Sequence, residues 1–217
     1  MEIKICGLTN KKEAEYLNEA KVDYAGFVFY DKSKRNLNPS KAKEIMTALD
    51  PDIKKVAVMV SPDEELIASI KDCGFDIFQI HKELREEILD IINLPVWYAV
   101  NISDEDELNE KTKFLEALPE RLYSKIEALV VDAPNFGSGK TFNWKKSKRL
   151  KKAGAQSPPQ SIFDKKKFIL AGGLNMDNVS SGIETFNPDV VDVSSGVEGV
   201  NGKERELILE FVKNARA

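Results

Sequence analysis

Two residues able to move protons close two separate runs of strand-like sequence. Cys6 ends the run over 2–6, and Asp132 ends the run over 128–132. A thiol and a carboxyl brought to one place can divide acid–base work, one holding a proton while the other takes one. Each also has a plainer reading: a small buried hydrophobe for Cys6, and a turn cap for Asp132, which precedes Ala133 and Pro134. Two glycine-bearing segments suit a phosphate: Ala171-Gly172-Gly173-Leu174-Asn175 and Ser194-Ser195-Gly196-Val197-Glu198. Glycine lets backbone N–H groups close on an anion, and a helix start supplies N–H groups with no partner. Arg35 carries the planar fork that grips a carboxylate through two hydrogen bonds; a surface ion pair is its alternative. His81 is the only histidine, so no metal site can be assembled from several imidazoles. It reads as a pocket-lining group or as a hydrogen-bonded residue of the interior. No Cys/His cluster has zinc spacing, and no metal site is expected.

Such groups need a scaffold. Runs rich in β-branched residues recur over 2–6, 24–29, 55–60, 76–81, 96–100, 128–132, 168–171 and 190–194, with room for a crossover helix between neighbours. The intervening segments carry helix signals. Asn10 with Glu13 starts the first helix, and Asn38-Pro39 starts the second. Ser61-Pro62-Asp63-Glu64 predicts another start, with Ser61 as cap and Pro62 at the first helical position. Leu66, Ile67 and Ile70 follow on one face before Gly74. The last helix places Leu207, Ile208, Phe211 and Val212 on one stripe. Strict alternation of strand and helix means a parallel sheet. Eight units in so short a chain point to the α/β class and to a single (β/α)8 TIM barrel over 1–217. An open doubly wound sheet is second choice. It prefers a glycine-rich turn after the first strand, and Cys6-Gly7-Leu8-Thr9 holds one glycine.

Side-chain alternation sorts the faces. Ile3, Ile5, Leu129 and Val131 should meet the helices. Lys4, Cys6, Gln79, His81, Val130, Asp132, Asp192 and Ser194 should point inward, with Lys4 and Asp192 as an interior ion pair. Barrel active sites lie at the C-terminal strand ends, and barrels commonly hold phosphate with the loops after strands seven and eight. The two glycine segments occupy those positions. Gly137-Ser138-Gly139-Lys140-Thr141 imitates the end of a P-loop, but the glycine that pattern needs at 134 is Pro134. The basic run over 145–152 reads as a solvated helix face, and 153–167, with Pro158-Pro159, as a long loop away from the mouth.

Composition agrees with one globular unit. Of 217 residues, 42% are hydrophobic and 31% charged, a balance unlike that of disordered chains. Two cysteines make no disulfide framework and suit a reducing compartment. A formal charge of −4 argues against a general nucleic-acid binder. No apolar run nears the roughly 18 residues of a membrane span, and the opening residues read as a strand and not as a leader. A cytoplasmic protein without membrane or nucleic-acid partners is expected, as monomer or homodimer.

Six motifs in order carry a resemblance that runs nearly end to end. They are Lys4-Ile5-Cys6-Gly7-Leu8-Thr9; Gly26-Phe27-Val28-Phe29 through Ser33 and Arg35; Gln79-Ile80-His81; Asp132-Ala133 with the segment from Gly137 to Phe142 and Trp144; Leu170 to Asn175; and Asp192 to Glu198. Together they resemble the phosphoribosylanthranilate isomerase family of tryptophan biosynthesis. The resemblance implies Cys6 as general base, Asp132 as general acid and Arg35 on the anthranilate carboxylate. It places the phosphate on the backbone around Gly172, Gly173, Ser195 and Gly196; His81 is expected among the substrate-binding residues. It implies an Amadori rearrangement of a small phosphoribosyl substrate, with no metal or organic cofactor. Three positions depart from the family pattern: Lys82 where glycine is usual, Asn143 for Asp, and Met176 for Pro. A neighbouring phosphosugar barrel, indole-glycerol-phosphate synthase, would want lysine acids and a glutamate base at strand ends. A non-catalytic phosphate-binding barrel is the rival from outside enzymology.

Overall fold

A computed structural model describes residues 1–101, 105–132 and 166–217, with the side chains of 101, 105–109 and 132 outside that description. Eight parallel strands close into a barrel in chain order: β1 (Glu2–Cys6), β2 (Tyr24–Phe29), β3 (Lys54–Val60), β4 (Ile77–His81), β5 (Val96–Asn101), β6 (Ile126–Asp132), β7 (Lys167–Leu170) and β8 (Val190–Val193). β8 pairs back onto β1, with Lys4 opposite Asp192. The described helices are α1 (Lys11–Ala20), α2 (Pro39–Met46), α3 (Glu64–Ile70), α4 (Glu86–Ile91), α5 (Glu105–Ala117), α6 (Glu120–Tyr123), α7 (Val179–Phe186) and α8 (Arg205–Arg216). A single 3₁₀ turn, Ser195–Val197, and a small hairpin of β9 (Glu198–Gly199) and β10 (Gly202–Lys203) lie between β8 and α8. The expected segments 137–141, 145–152 and 153–165 lie outside the described residues.

The alternation sorts the core into two layers. Ile3, Ile5, Phe27 and Leu129 face the helices and pack with Leu17, Ile45, Ile208 and Phe211. Tyr24, Val56, Val58, Trp97, Val130 and Val190 fill the barrel, with Trp97 edge-on to Tyr24 at 4.8 Å between ring centres. This filling makes the lower barrel a plug, so a ligand can enter only at the mouth. In α8 the buried stripe is Ile208, Phe211, Val212 and Ala215, with Leu207 at its edge.

The caps explain most boundaries. The Asn10 side chain accepts from Glu13 N–H at 3.1 Å, and that of Asn38 from Lys41 N–H at 2.8 Å. The expected cap at Ser61 is corrected: Asp63 caps α3, accepting from Leu66 N–H at 2.8 Å. Ser61 is tied to the neighbouring strand instead. Its N–H donates to His81 O at 3.0 Å, its hydroxyl accepts from Glu83 N–H at 3.3 Å, and its φ is +44°. A residue so held cannot also take the extended backbone of a cap, and Asp63 stands two positions nearer the helix.

Candidate active site

The C-terminal strand ends bring Cys6, His81, Asp192 and the segments after β7 and β8 around one cavity of about 470 Å³, which Arg35 also lines. Cys6 ends β1 opposite Gly26, and a Cβ on Gly26 would stand 2.8 Å from the Cys6 sulfur. Glycine there leaves the thiol its room. Gly26 O also accepts from Gly7 N–H at 2.8 Å and Leu8 N–H at 3.1 Å, which turns the chain sharply after the thiol. The Ser194 hydroxyl donates to Cys6 O at 2.9 Å. Burial pushes the thiol pKa up, partly offset by the Lys4 and Lys203 ammonium groups. In the ligand-free protein the thiol form therefore dominates at neutral pH. Asp132 ends β6 opposite Asn101; its side chain is outside the description.

Beneath the thiol lies the expected ion pair, with Lys4 Nζ 2.8 Å from Asp192 Oδ2. Burial works against the Lys4 ammonium, but Asp192 and the Cys6 sulfur outweigh it and raise its pKa. Asp192 Oδ1 and Gln79 Oε1 are buried acceptors without a partner among the described residues, and both residues line the cavity. Unpaired buried acceptors cost roughly 1–3 kcal/mol each, so a ligand hydroxyl would relieve them.

His81 lies 2.9 Å from Gln79 through its Nε2. Burial, then the Lys4 and Lys111 charges, lower its pKa to about 3, so the imidazole is neutral. This has a measurable consequence. An unfolded histidine gains its proton near pH 6.5, whereas folded His81 does not until near pH 3. The unfolded chain thus binds more protons below pH 6.5, and stability should fall as pH drops, by up to about 1.4 kcal/mol per unit. Glu198, whose pKa is lowered to about 2, adds its own acid loss only below the ordinary glutamate range. Urea unfolding between pH 6.5 and 5 should therefore show a slope that His81→Gln flattens. An unchanged slope in the variant would refute this assignment.

Arg35 packs across Gly7, where a Cβ would meet its Cδ at 2.3 Å; Gly7 holds φ +86°. Its Nε and Nη2 grip the two Glu198 oxygens at 2.5 and 2.6 Å. The ion-pair reading of Arg35 is thus realised, yet at the cavity wall and not on open surface. The glycine segments also meet. Gly172 and Gly173 have φ of +86° and +70°, and a Cβ on Gly196 would stand 1.9 Å from Leu174 O. Only glycine at 196 lets the two loops touch. They line a second cavity of about 300 Å³ that includes Gly173, Ser195 and Gly196. Asn175 and Asn178 shape the first loop: Asn178 Oδ1 accepts from Asn175 N–H at 2.9 Å, and its Nδ2 donates to Gly173 O at 3.0 Å. Sequence reasoning assigned no role to Asn178, Glu198 or Lys203. An acid directly after the Ser-Ser-Gly-Val turn was the available hint for Glu198; Lys203 left none.

Fold and site together define a (β/α)8 barrel whose candidate site lies in a cavity at the C-terminal strand ends. The sequence model of a family described as N-(5'-phosphoribosyl)anthranilate (PRA) isomerase matches residues 3–214. The N-(5'-phosphoribosyl)anthranilate isomerase of Thermoanaerobacter pseudethanolicus is 36% identical over 222 residues, covering 100% of this chain and 98% of its own. The crystal structure of phosphoribosyl anthranilate isomerase from Thermotoga maritima shares 32% identity and a TM-score of 0.81, with 100% and 98% of the two chains covered. A phosphoribosyl anthranilate isomerase structure in complex with reduced 1-(o-carboxyphenylamino)-1-deoxyribulose 5-phosphate shares 30% identity and a TM-score of 0.78, with the same coverage. The chain belongs to the N-(5'-phosphoribosyl)anthranilate isomerase family.

Proposed function

We propose that this chain converts N-(5'-phosphoribosyl)anthranilate to 1-(2-carboxyphenylamino)-1-deoxyribulose 5-phosphate, an aldose–ketose isomerisation of tryptophan biosynthesis. The observation that carries the reading is one cavity shared by a thiol, a guanidinium and a pair of touching glycine loops. Those are three grips for three parts of one molecule: a reacting sugar carbon, a carboxylate and a phosphate. The phosphate sits on the backbone around Gly172, Gly173, Ser195 and Gly196, where N–H groups and not side-chain charges meet it. Arg35 takes the anthranilate carboxylate, and the unpaired acceptors of Asp192 and Gln79 suit sugar hydroxyls, with neutral His81 beside them.

In this scheme Asp132 protonates the ring oxygen, and the sugar opens to a Schiff base. Cys6 then removes the C2' proton. The electron pair moves to the imine nitrogen and gives an enolamine, which tautomerises to the ketone. An acid able to protonate an ether oxygen must keep its proton at working pH, so Asp132 has to sit above the ordinary aspartate range. The protein works in the cytoplasm, as monomer or homodimer, on a small substrate.

The test is direct. Purified protein should abolish the fluorescence of the anthranilate compound with turnover; binding without conversion would favour the non-catalytic barrel. Arg35→Ala should raise KM by more than it lowers kcat, since the carboxylate is equally present in ground and transition states. The opposite split would place Arg35 in the chemical step.

A further inference from the structure

We propose that Glu198 and Lys203 are positioning residues that hold the Arg35 guanidinium at the angle the substrate carboxylate requires and tie that arm to the loop bearing Cys6. The inference rests on the isomerase reading above and assigns a role to two residues outside its catalytic set.

The geometry is that of a buried post. The Glu198 side chain is 8% exposed, yet three cations reach it: Arg35 through two nitrogens, Lys203 at 2.7 Å and Lys34 at 3.0 Å. The Lys203 side chain is fully buried, and Lys203 also donates to Ser194 O at 3.0 Å and Ser194 Oγ at 3.3 Å. The Ser194 hydroxyl in turn donates to Cys6 O. A continuous set of polar contacts thus runs from Arg35 through Glu198, Lys203 and Ser194 to the backbone of Cys6. The post is anchored from behind. Lys203 N–H donates to Glu13 Oε1 at 3.0 Å, and Glu13 also accepts from Thr9 N–H at 2.5 Å, in the turn that follows Cys6. Lys203 pairs with Glu198 across the β9–β10 hairpin, so the backbone fixes their separation as well.

Two features distinguish this from an ordinary structural salt bridge. First, Glu198 holds the Nε–Nη2 edge of a rigid fork, and that fixes the guanidinium plane. A second carboxylate is then offered the Nη1–Nη2 edge, so Glu198 sets the direction from which the substrate acid must come. An arginine without that partner would carry about 2 kcal/mol of rotamer entropy into binding. Second, the anions are outnumbered. Glu198 and Glu13 together face three cations, so the cluster keeps positive charge for a further acid after Arg35 is fixed. Glu198 therefore orients Arg35 without cancelling the attraction.

The test uses two variants and two substrates. Glu198→Asp keeps the charge that Lys203 needs but shortens the post; Glu198→Gln keeps the length and removes the charge. Each is assayed on the anthranilate compound and on the phosphoribosyl derivative of aniline, which lacks the carboxylate, with product followed by mass spectrometry. On the anthranilate compound, KM should rise about tenfold or more with kcat within about threefold of wild type. On the aniline compound, kcat/KM should stay within about threefold of wild type. Equal losses on both substrates, an unchanged KM in folded variants, or loss of folding in both variants would overturn the proposal, the last by making the cluster a folding requirement. A wild-type protein inactive on the anthranilate compound would sink the isomerase reading itself, and this inference with it; an active wild type with indifferent variants sinks the inference alone.

Discussion

Cys6→Ala protein should fold with nearly unchanged stability and lose about three orders of magnitude in kcat, and Asp132→Asn should do the same. General-base removal of a carbon-bound proton is worth roughly 10²–10⁴-fold, and three orders correspond to about 4 kcal/mol of barrier. Cys6 is only partly exposed and lies against Gly26, so removing one sulfur atom costs about 1 kcal/mol at most. Its pH signature is equally specific. Burial raises the thiol pKa, so at neutral pH the free enzyme holds a small thiolate fraction. If thiolate is the base, kcat/KM should climb with pH, approaching tenfold per unit, until it nears that raised pKa. Any residual activity of Cys6→Ala should lack this limb. Full activity in Cys6→Ala, or a wild-type profile flat across pH 7 to 8.5, would remove Cys6 from the role of base.

Much of this site is legible in the chain because it sits at strand ends. Alternation alone places Lys4, Cys6, Gln79, His81 and Asp192 inward, and the strand count fixes which loops are seventh and eighth. Those are properties of local periodicity and order, which a sequence states outright. What it does not state is which long side chains meet across loops. Arg35 and Glu198 are 163 positions apart and come together only because β8 closes onto β1. Lys203 is less legible still, since a lysine near a helix start ordinarily reads as solvent-exposed, yet its side chain is fully buried. The Ser61 cap failed for a related reason: a contact to the neighbouring strand outcompeted a local capping rule. Lys82 shows the reverse. The family resemblance marks glycine as usual there, and Lys82 holds φ +62°, a left-handed backbone that glycine adopts without strain. The Tyr98 hydroxyl, donating to Lys82 O at 3.0 Å, helps hold the turn.

The largest stability effect should come from the floor of the site. Asp192→Ala leaves the Lys4 ammonium, 0% exposed, without the carboxylate 2.8 Å away. Breaking a buried pair from one side costs about 3–5 kcal/mol, because the surviving charge stays desolvated. For a chain of this size that is a fall in Tm of about 10 °C. The pH at which it is measured matters. Lys4 has a raised pKa, so its contribution is fully present below the ordinary lysine range and is lost only as pH rises through the folded value. Unfolding at pH 7 therefore reads the full Lys4 contribution, set against the burial that raises the Asp192 pKa and makes its carboxylate costly to hold. The double replacement Lys4→Met with Asp192→Leu removes both charges and should recover most of the loss, since apolar residues of similar volume often replace buried pairs without cost. Recovery of folding should not bring recovery of turnover. Lys4 is among the cations that pull the Cys6 thiol toward thiolate, and Asp192 carries a cavity-lining acceptor. A double variant as stable as wild type but slower by orders of magnitude would separate the two duties of this pair. A loss below about 1 kcal/mol in Asp192→Ala would mean that Lys4 sheds its proton or finds another partner, and the buried ion pair would have to be abandoned as a stabilising element.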